Sequence, residues 1–151
     1  MAPARPNREW CRGSYRISTD PQRLDRDAIH RFLSQEAYWC LGIPRRTLDT
    51  ALDHSLCFGL YQDQHQVGFA RLITDHATFA YLADVYLLPA HRGQGLARWL
   101  IQCVLAYPGV ASLRRLLLVT KDAHGLYRPH GFAPPAQPAH LLTRHRPDAY
   151  R

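Results

Sequence analysis

The 151-residue sequence predicts an α+β fold, an α/β/α sandwich of helices on a mixed sheet. Three observations predict it. Residues 55–88 hold three strand-like runs in succession, joined by short polar turns, as in an antiparallel meander. Amphipathic helical stretches precede these runs, and a more apolar helix follows them. Beyond that helix, Leu116-Leu117-Leu118-Val119 is a continuous apolar run, as expected of a buried strand paired in parallel.

Taken in order, residues 1–12 are expected to be a flexible N-terminal tail, since they lack the apolar core of a secretory signal. Residues 13–146 form one domain and residues 147–151 a C-terminal tail, because the length suits a single core. Tyr15 to Thr19 is a short strand, and Asp20-Pro21 a turn. Leu24 to Glu36 is helical, with Ala28, Ile29, Phe32 and Leu33 making one stripe. After the break at Leu41-Gly42-Ile43, Pro44 suits the first turn of a second helix whose inner face carries Leu48, Ala51 and Leu52. Ser55 to Gln62 and Gln66 to Thr74 form a hairpin around Asp63-Gln64-His65, and Phe79 to Leu88 is a long third strand. A helix runs from about Gln94 to Ala106 and a strand from Leu113 to Thr120. Ala123 to Tyr127 is a short helical piece, residues 133–138 a proline-rich loop, and His140 to Arg144 a closing strand.

Composition bounds the function. A hydrophobic fraction of 46% and a charged fraction of 21% fit an ordinary globular domain. No apolar stretch approaches the ~18 residues of a membrane span, and the expected location is cytoplasmic. Cys11, Cys40, Cys57 and Cys103 are far apart without a CxxC pair, so reduced thiols are expected rather than zinc ligands or a disulfide framework. The nine histidines lack HxxxH or HExxH spacing, and no metal is expected. The net charge of +7 comes almost wholly from dispersed arginines, Lys121 being the single lysine. Without interleaved aromatic residues this favours a general pull on anionic ligands, not a specific nucleic-acid partner. A homodimer is left open.

The chemistry concentrates in Val85-Tyr86-Leu87-Leu88-Pro89-Ala90-His91-Arg92-Gly93-Gln94-Gly95-Leu96-Ala97. A strand ends at proline, a glycine turn follows, and a helix begins, placing free backbone N–H groups and the positive end of a helix dipole together. That is a phosphate site. The spacing fits neither a P-loop nor a dinucleotide fingerprint. Arg92 followed by Gly95 and Ala97 resembles motif A, [RQ]xxGx[GA], of the GNAT N-acetyltransferase superfamily. Downstream, Thr120 to Phe132 resembles that family's NxxAxxxYxxxGF segment: Ala123, Tyr127, Gly131 and Phe132 match, while Thr120 replaces asparagine and Gly125 loosens the short helix.

The resemblance implies a mostly antiparallel sheet of about six or seven strands, with a splayed parallel pair at the cofactor site. It implies acetyl-CoA as donor, its pyrophosphate held by the amides of Arg92, Gly93, Gln94, Gly95, Leu96 and Ala97. The pantetheine arm then lies along Val85, Tyr86 and Leu87, and Tyr127 protonates the leaving thiolate. The acceptor implied is a primary amine, attacking directly in a ternary complex. For the general base, Asp84 interrupts an apolar strand, where partial desolvation favours its neutral form and makes it more basic; Tyr81, Glu36 and water are the alternatives. Tyr38 and Trp39 fall where the family builds part of its acceptor pocket, and with Glu36 they suit a cationic amine through cation–π and charge contacts. Ordinary core packing is the alternative for Trp39. His91 and His124 flank the phosphate site. A non-catalytic acyl-CoA-binding module and a basic nucleic-acid-binding protein are the competing readings.

Overall fold

A computed structural model describes residues 5–151. Ten regular elements carry the fold. They are β1 (Glu9–Arg12), β2 (Tyr15–Ser18), α1 (Arg26–Gln35), α2 (Arg45–Asp53) and β3 (Leu56–Gln62), then β4 (His65–Thr74), β5 (Phe79–Leu87), α3 (Leu96–Ala106), β6 (Arg115–Leu118) and α4 (His124–Tyr127). The strands form one six-stranded sheet in sequence order, antiparallel throughout except for the parallel β5–β6 edge. That edge needs a crossover, and α3 supplies it.

Helices cover both faces. On one face Leu96, Trp99, Leu100, Ile101 and Val104 of α3 pack against Ile17, Phe58, Leu60, Leu72 and Leu82. On the other, Ile29, Phe32 and Leu33 of α1 and Leu48 and Leu52 of α2 enclose Cys57, Phe69 and Tyr86. Asp25 caps α1, accepting from the Ala28 amide at 3.0 Å, so the helix begins two residues later than its apolar pattern suggested.

Two expectations about the chain ends are corrected. Residues 9–12 do not belong to a tail: they pair with β2 in the register Glu9↔Ser18 to Arg12↔Tyr15. Gly13 at φ 57° makes the two-residue turn, and Trp10 stacks on Phe58 at 6.3 Å. Gly13-Ser14 is itself a hairpin signal that could have revealed this strand. Residues 1–4 of the expected tail lie outside the described residues. At the other end no strand forms over His140–Arg144. The chain makes a 3-10 turn at Pro138–His140 and continues exposed, Leu142 being 89% accessible. Pro134, Pro135 and Pro138 cannot donate ladder bonds and hold this stretch away from the sheet.

Candidate active site

The site begins as an irregularity in pairing between β4 and β5. Phe69 pairs with Tyr86 and Arg71 with Ala83, so Asp84 and Val85 together oppose Ala70 alone. This is a β-bulge, with Asp84 in the left-handed region at φ 56°. It resets the alternation of the strand. Leu82, Val85 and Leu87 face the α3 core, whereas Tyr86 faces the α1 and α2 core, where it stacks on Phe32 at 3.9 Å. Strict alternation from Tyr81 would have turned Asp84 into the α3 core.

Past the bulge, β5 parts from β6. Their parallel pairing runs from Phe79↔Arg115 to Leu82↔Leu118 and ends there. Backbone beyond Leu82 therefore lies beside a cleft without a β6 partner. The residues expected there, Val85, Tyr86 and Leu87, do line the splay, although the Tyr86 ring itself points into the core.

At the end of the cleft the glycine turn leads into α3. Gly93 and Gly95 both adopt φ 78°, with open space where a Cβ would stand. The first bonded helical amide is that of Trp99, donating to Gly95 O at 3.1 Å. The amides before it meet no intrahelical carbonyl. Gly93, Gln94 and Gly95 are exposed, Ala97 is half-buried, and the Leu96 side chain anchors the helix in the core. These features fit a pyrophosphate group: an exposed, side-chain-poor cradle of free amides. Arg92 instead turns back, its Nε donating to the Leu87 carbonyl at 3.1 Å, and so pins the turn to the strand end. His91 shares a 2.9 Å hydrogen bond with Tyr15, and His124 is the first residue of α4.

Chemical groups meet across the splay. Asp84 accepts from Arg71 Nε at 2.7 Å and from Trp39 Nε1 at 2.8 Å, and its side chain is only 8% exposed. Arg71 also donates to Ser55 Oγ at 3.2 Å, and Ser55 donates to the Ala51 carbonyl. Both carboxylate oxygens of Asp84 are thus engaged. Trp39 is exposed rather than core, and its indole is held by this bond and by an edge contact with Tyr38 at 5.1 Å. Tyr38 reaches over to the segment after β6, where its hydroxyl accepts from the Lys121 amide at 3.3 Å and its ring underlies the Lys121 ammonium at 5.2 Å. Tyr127 is buried, edge-on to Phe132 at 5.9 Å. Burial, then the neighbouring Tyr38, pushes its hydroxyl up to about 12, so the phenol keeps its proton at neutral pH. Tyr81 is likewise raised, by burial and then by the Asp84 charge.

Glu36 is not drawn in. It sits exposed at the end of α1, and its side chain makes no ion pair or hydrogen bond among the described residues. Thr120, in the asparagine position of the second motif, takes a capping role by accepting from the Ala123 amide at 3.0 Å. Arg71, Ser55 and Lys121 were not foreseen. One signal was available: Arg71 and Asp84 each interrupt an apolar strand with the opposite charge, in adjacent arms of one meander.

A family model for the GNAT acetyltransferases matches residues 26–132, spanning the bulge, the glycine turn and Tyr127. The chain belongs to the GNAT acetyltransferase family. It is similar to a solved GNAT-family structure from Xanthomonas campestris pv. campestris, with 50% identity and a TM-score of 0.88 over 90% of this chain and 96% of that one. A curated relative from Gibberella zeae, named as a candidate acetyltransferase, is 41% identical, with 78% of each chain covered. A Clostridium acetobutylicum structure solved with acetyl-CoA shares the fold at 16% identity, with a TM-score of 0.60 over 87% of this chain and 94% of that one. Among the described residues, this GNAT chain has no helix long and apolar enough to cross a membrane.

Proposed function

We propose that this GNAT protein is an acetyl-CoA-dependent N-acetyltransferase that transfers acetyl to a small primary amine by direct attack in a ternary complex. The observation that carries the reading is the exposed cradle of free amides at the glycine turn, where β5 ends after parting from β6; the buried Tyr127, near Tyr38, supports it. The donor supplies an acetyl group activated as a thioester. Free amides from Gly93 to Ala97 hold its pyrophosphate, and the unpaired backbone of Val85 to Leu87 aligns its arm. An amide there donates to the thioester oxygen, where negative charge grows during attack. Tyr127 gives its proton to the departing thiolate, a role worth about 10²–10⁴-fold.

Asp84 is committed to Arg71 and Trp39, so we assign it to positioning the indole. Tyr81 is a poor base because burial holds its proton. Water then takes the proton from the amine. A reducing, cytoplasmic setting fits Cys40, Cys57 and Cys103, which are free and buried.

The test is free-thiol release from acetyl-CoA across a panel of primary amines. Wild type is expected to respond to at least one amine, and Tyr127→Phe to lose about 10²-fold in kcat with its melting temperature unchanged. Normal turnover by Tyr127→Phe removes the acid assignment. Absence of thiol release with every amine overturns the activity.

A further inference from the structure

The C-terminal segment takes no part in the sheet, yet it has a defined place. After Phe132 it leaves the Tyr127 side of the cleft and comes to rest against the loop between α1 and α2. It comes close at Gly42, φ 79°, where an added Cβ would lie 2.9 Å from the Tyr150 carbonyl oxygen. Glycine is required there twice over, for its backbone conformation and for the space. Residues 147–151 are therefore a docked wall rather than a free tail.

Between wall and loop lies a cavity of about 240 Å³, lined on one side by Tyr38, Trp39 and Leu41 and on the other by His145, Arg146 and Tyr150. Two of these loop residues belong to the site already described. Tyr38 bonds to Lys121 and neighbours Tyr127, and Trp39 holds Asp84. The cavity thus shares Tyr38 and Trp39 with that site, and no residue of the glycine turn lines it. Its volume is below the ~300–1,000 Å³ of sites for drug-sized ligands, which limits it to a small molecule.

The charges on the two sides differ. The loop side is aromatic and apolar, and the Asp84 behind the Trp39 indole is paired with Arg71. On the wall side Asp148 is turned to Arg151 at 3.2 Å, whereas Arg146 makes no ion pair among the described residues. His145 stands beside Arg146, and Lys121 lies across the Tyr38 ring. Of the wall's two arginines, Arg146 keeps its donors available for an anion among the described residues.

We propose that the acceptor is a small amine that also bears an anionic group, a carboxylate or phosphate. Its amine end lies against the Tyr38 and Trp39 rings, and its anion is received by Arg146 and His145. The proposal rests on the N-acetyltransferase reading and adds the acceptor class to it. The Tyr38 and Trp39 rings flank the short carbon chain between the two charges.

The test compares propylamine, β-alanine and 2-aminoethyl phosphate as acceptors, following thiol release from acetyl-CoA. Wild type is expected to favour one of the anionic amines over propylamine by at least about tenfold in kcat/KM, the worth of one charge-assisted hydrogen bond. Arg146→Ala is expected to raise KM for that acceptor about tenfold, leaving kcat, KM for acetyl-CoA and KM for propylamine unchanged. Arg146→Lys should restore part of the loss. Preference for the carboxylate or for the phosphate identifies which anion the wall receives. Equal use of all three amines, or an Arg146→Ala effect that falls on acetyl-CoA instead, overturns the proposal while the acetyltransferase reading stands. Should no amine release thiol, and coenzyme A fail to raise the melting temperature, both readings fall together.

Discussion

Replacing Asp84 separates two things that one residue does: it partners Arg71 and Trp39 through its side chain, and it holds the left-handed backbone of the bulge at φ 56°. In Asp84→Ala, Arg71 loses its partner at 2.7 Å in a pair whose side chains are 15% and 8% exposed. Removing one member of a buried ion pair costs about 3–5 kcal/mol. Arg71 retains Ser55 as an acceptor, so the lower end applies, about 3 kcal/mol. Alanine also enters a left-handed conformation that costs an L-residue a further ~1 kcal/mol, which glycine does not incur. Asparagine tolerates that backbone and can still accept from the Trp39 indole, so Asp84→Asn should lose about 1–2 kcal/mol. The expected order is wild type, Asn, Gly, Ala. At about 2–4 °C per kcal/mol for a domain of this size, Asp84→Ala should melt on the order of 8–16 °C below wild type. Thermal unfolding and urea titration measure both quantities. Equal stability of the Gly and Ala variants would refute the backbone argument. All three variants lying within ~0.5 kcal/mol of wild type would refute the ion-pair argument.

Three further outcomes are expected. Gly95→Ala meets open space but is strained at φ 78°, so it should lose about 1 kcal/mol in unfolding assays and raise KM for acetyl-CoA. Trp10→Ala should lose about 2 kcal/mol, because its ring stacks on Phe58; a residue in a free tail would lose nothing. Burial raises the Tyr127 hydroxyl to about 12 and those of Tyr61 and Tyr86 upward too. The neutral phenols then support the fold fully below the ordinary tyrosine value near 10, and that support declines as pH climbs from about 10 towards 12. Melting temperature against pH checks this, and Tyr86→Phe should flatten the decline.

The sequence by itself determined the layers and the glycine turn ahead of α3, since both depend on local pattern. Apolar periodicity gave the helices of each face and the meander between them, and Gly93 and Gly95 announced a helix start with free amides because no other residue type so readily takes φ 78° there. The second motif located Tyr127 in the same way. What the sequence could not decide was direction. A bulge of one residue turns Asp84 from the α3 core towards Arg71 and Trp39, and nothing within β5 alone dictates it; it arises from how β5 registers against β4. The tertiary structure also decided the fates of the two ends. Glu9–Arg12 gained an edge position from pairing with β2, while Leu141 and Leu142, with equally strand-like neighbours, found no sheet edge within reach of their proline-rich lead. Tyr38 and Trp39 follow the same logic. The family resemblance marked them as acceptor-pocket candidates, but only long-range bonds to Lys121 and Asp84 decide where their side chains lie.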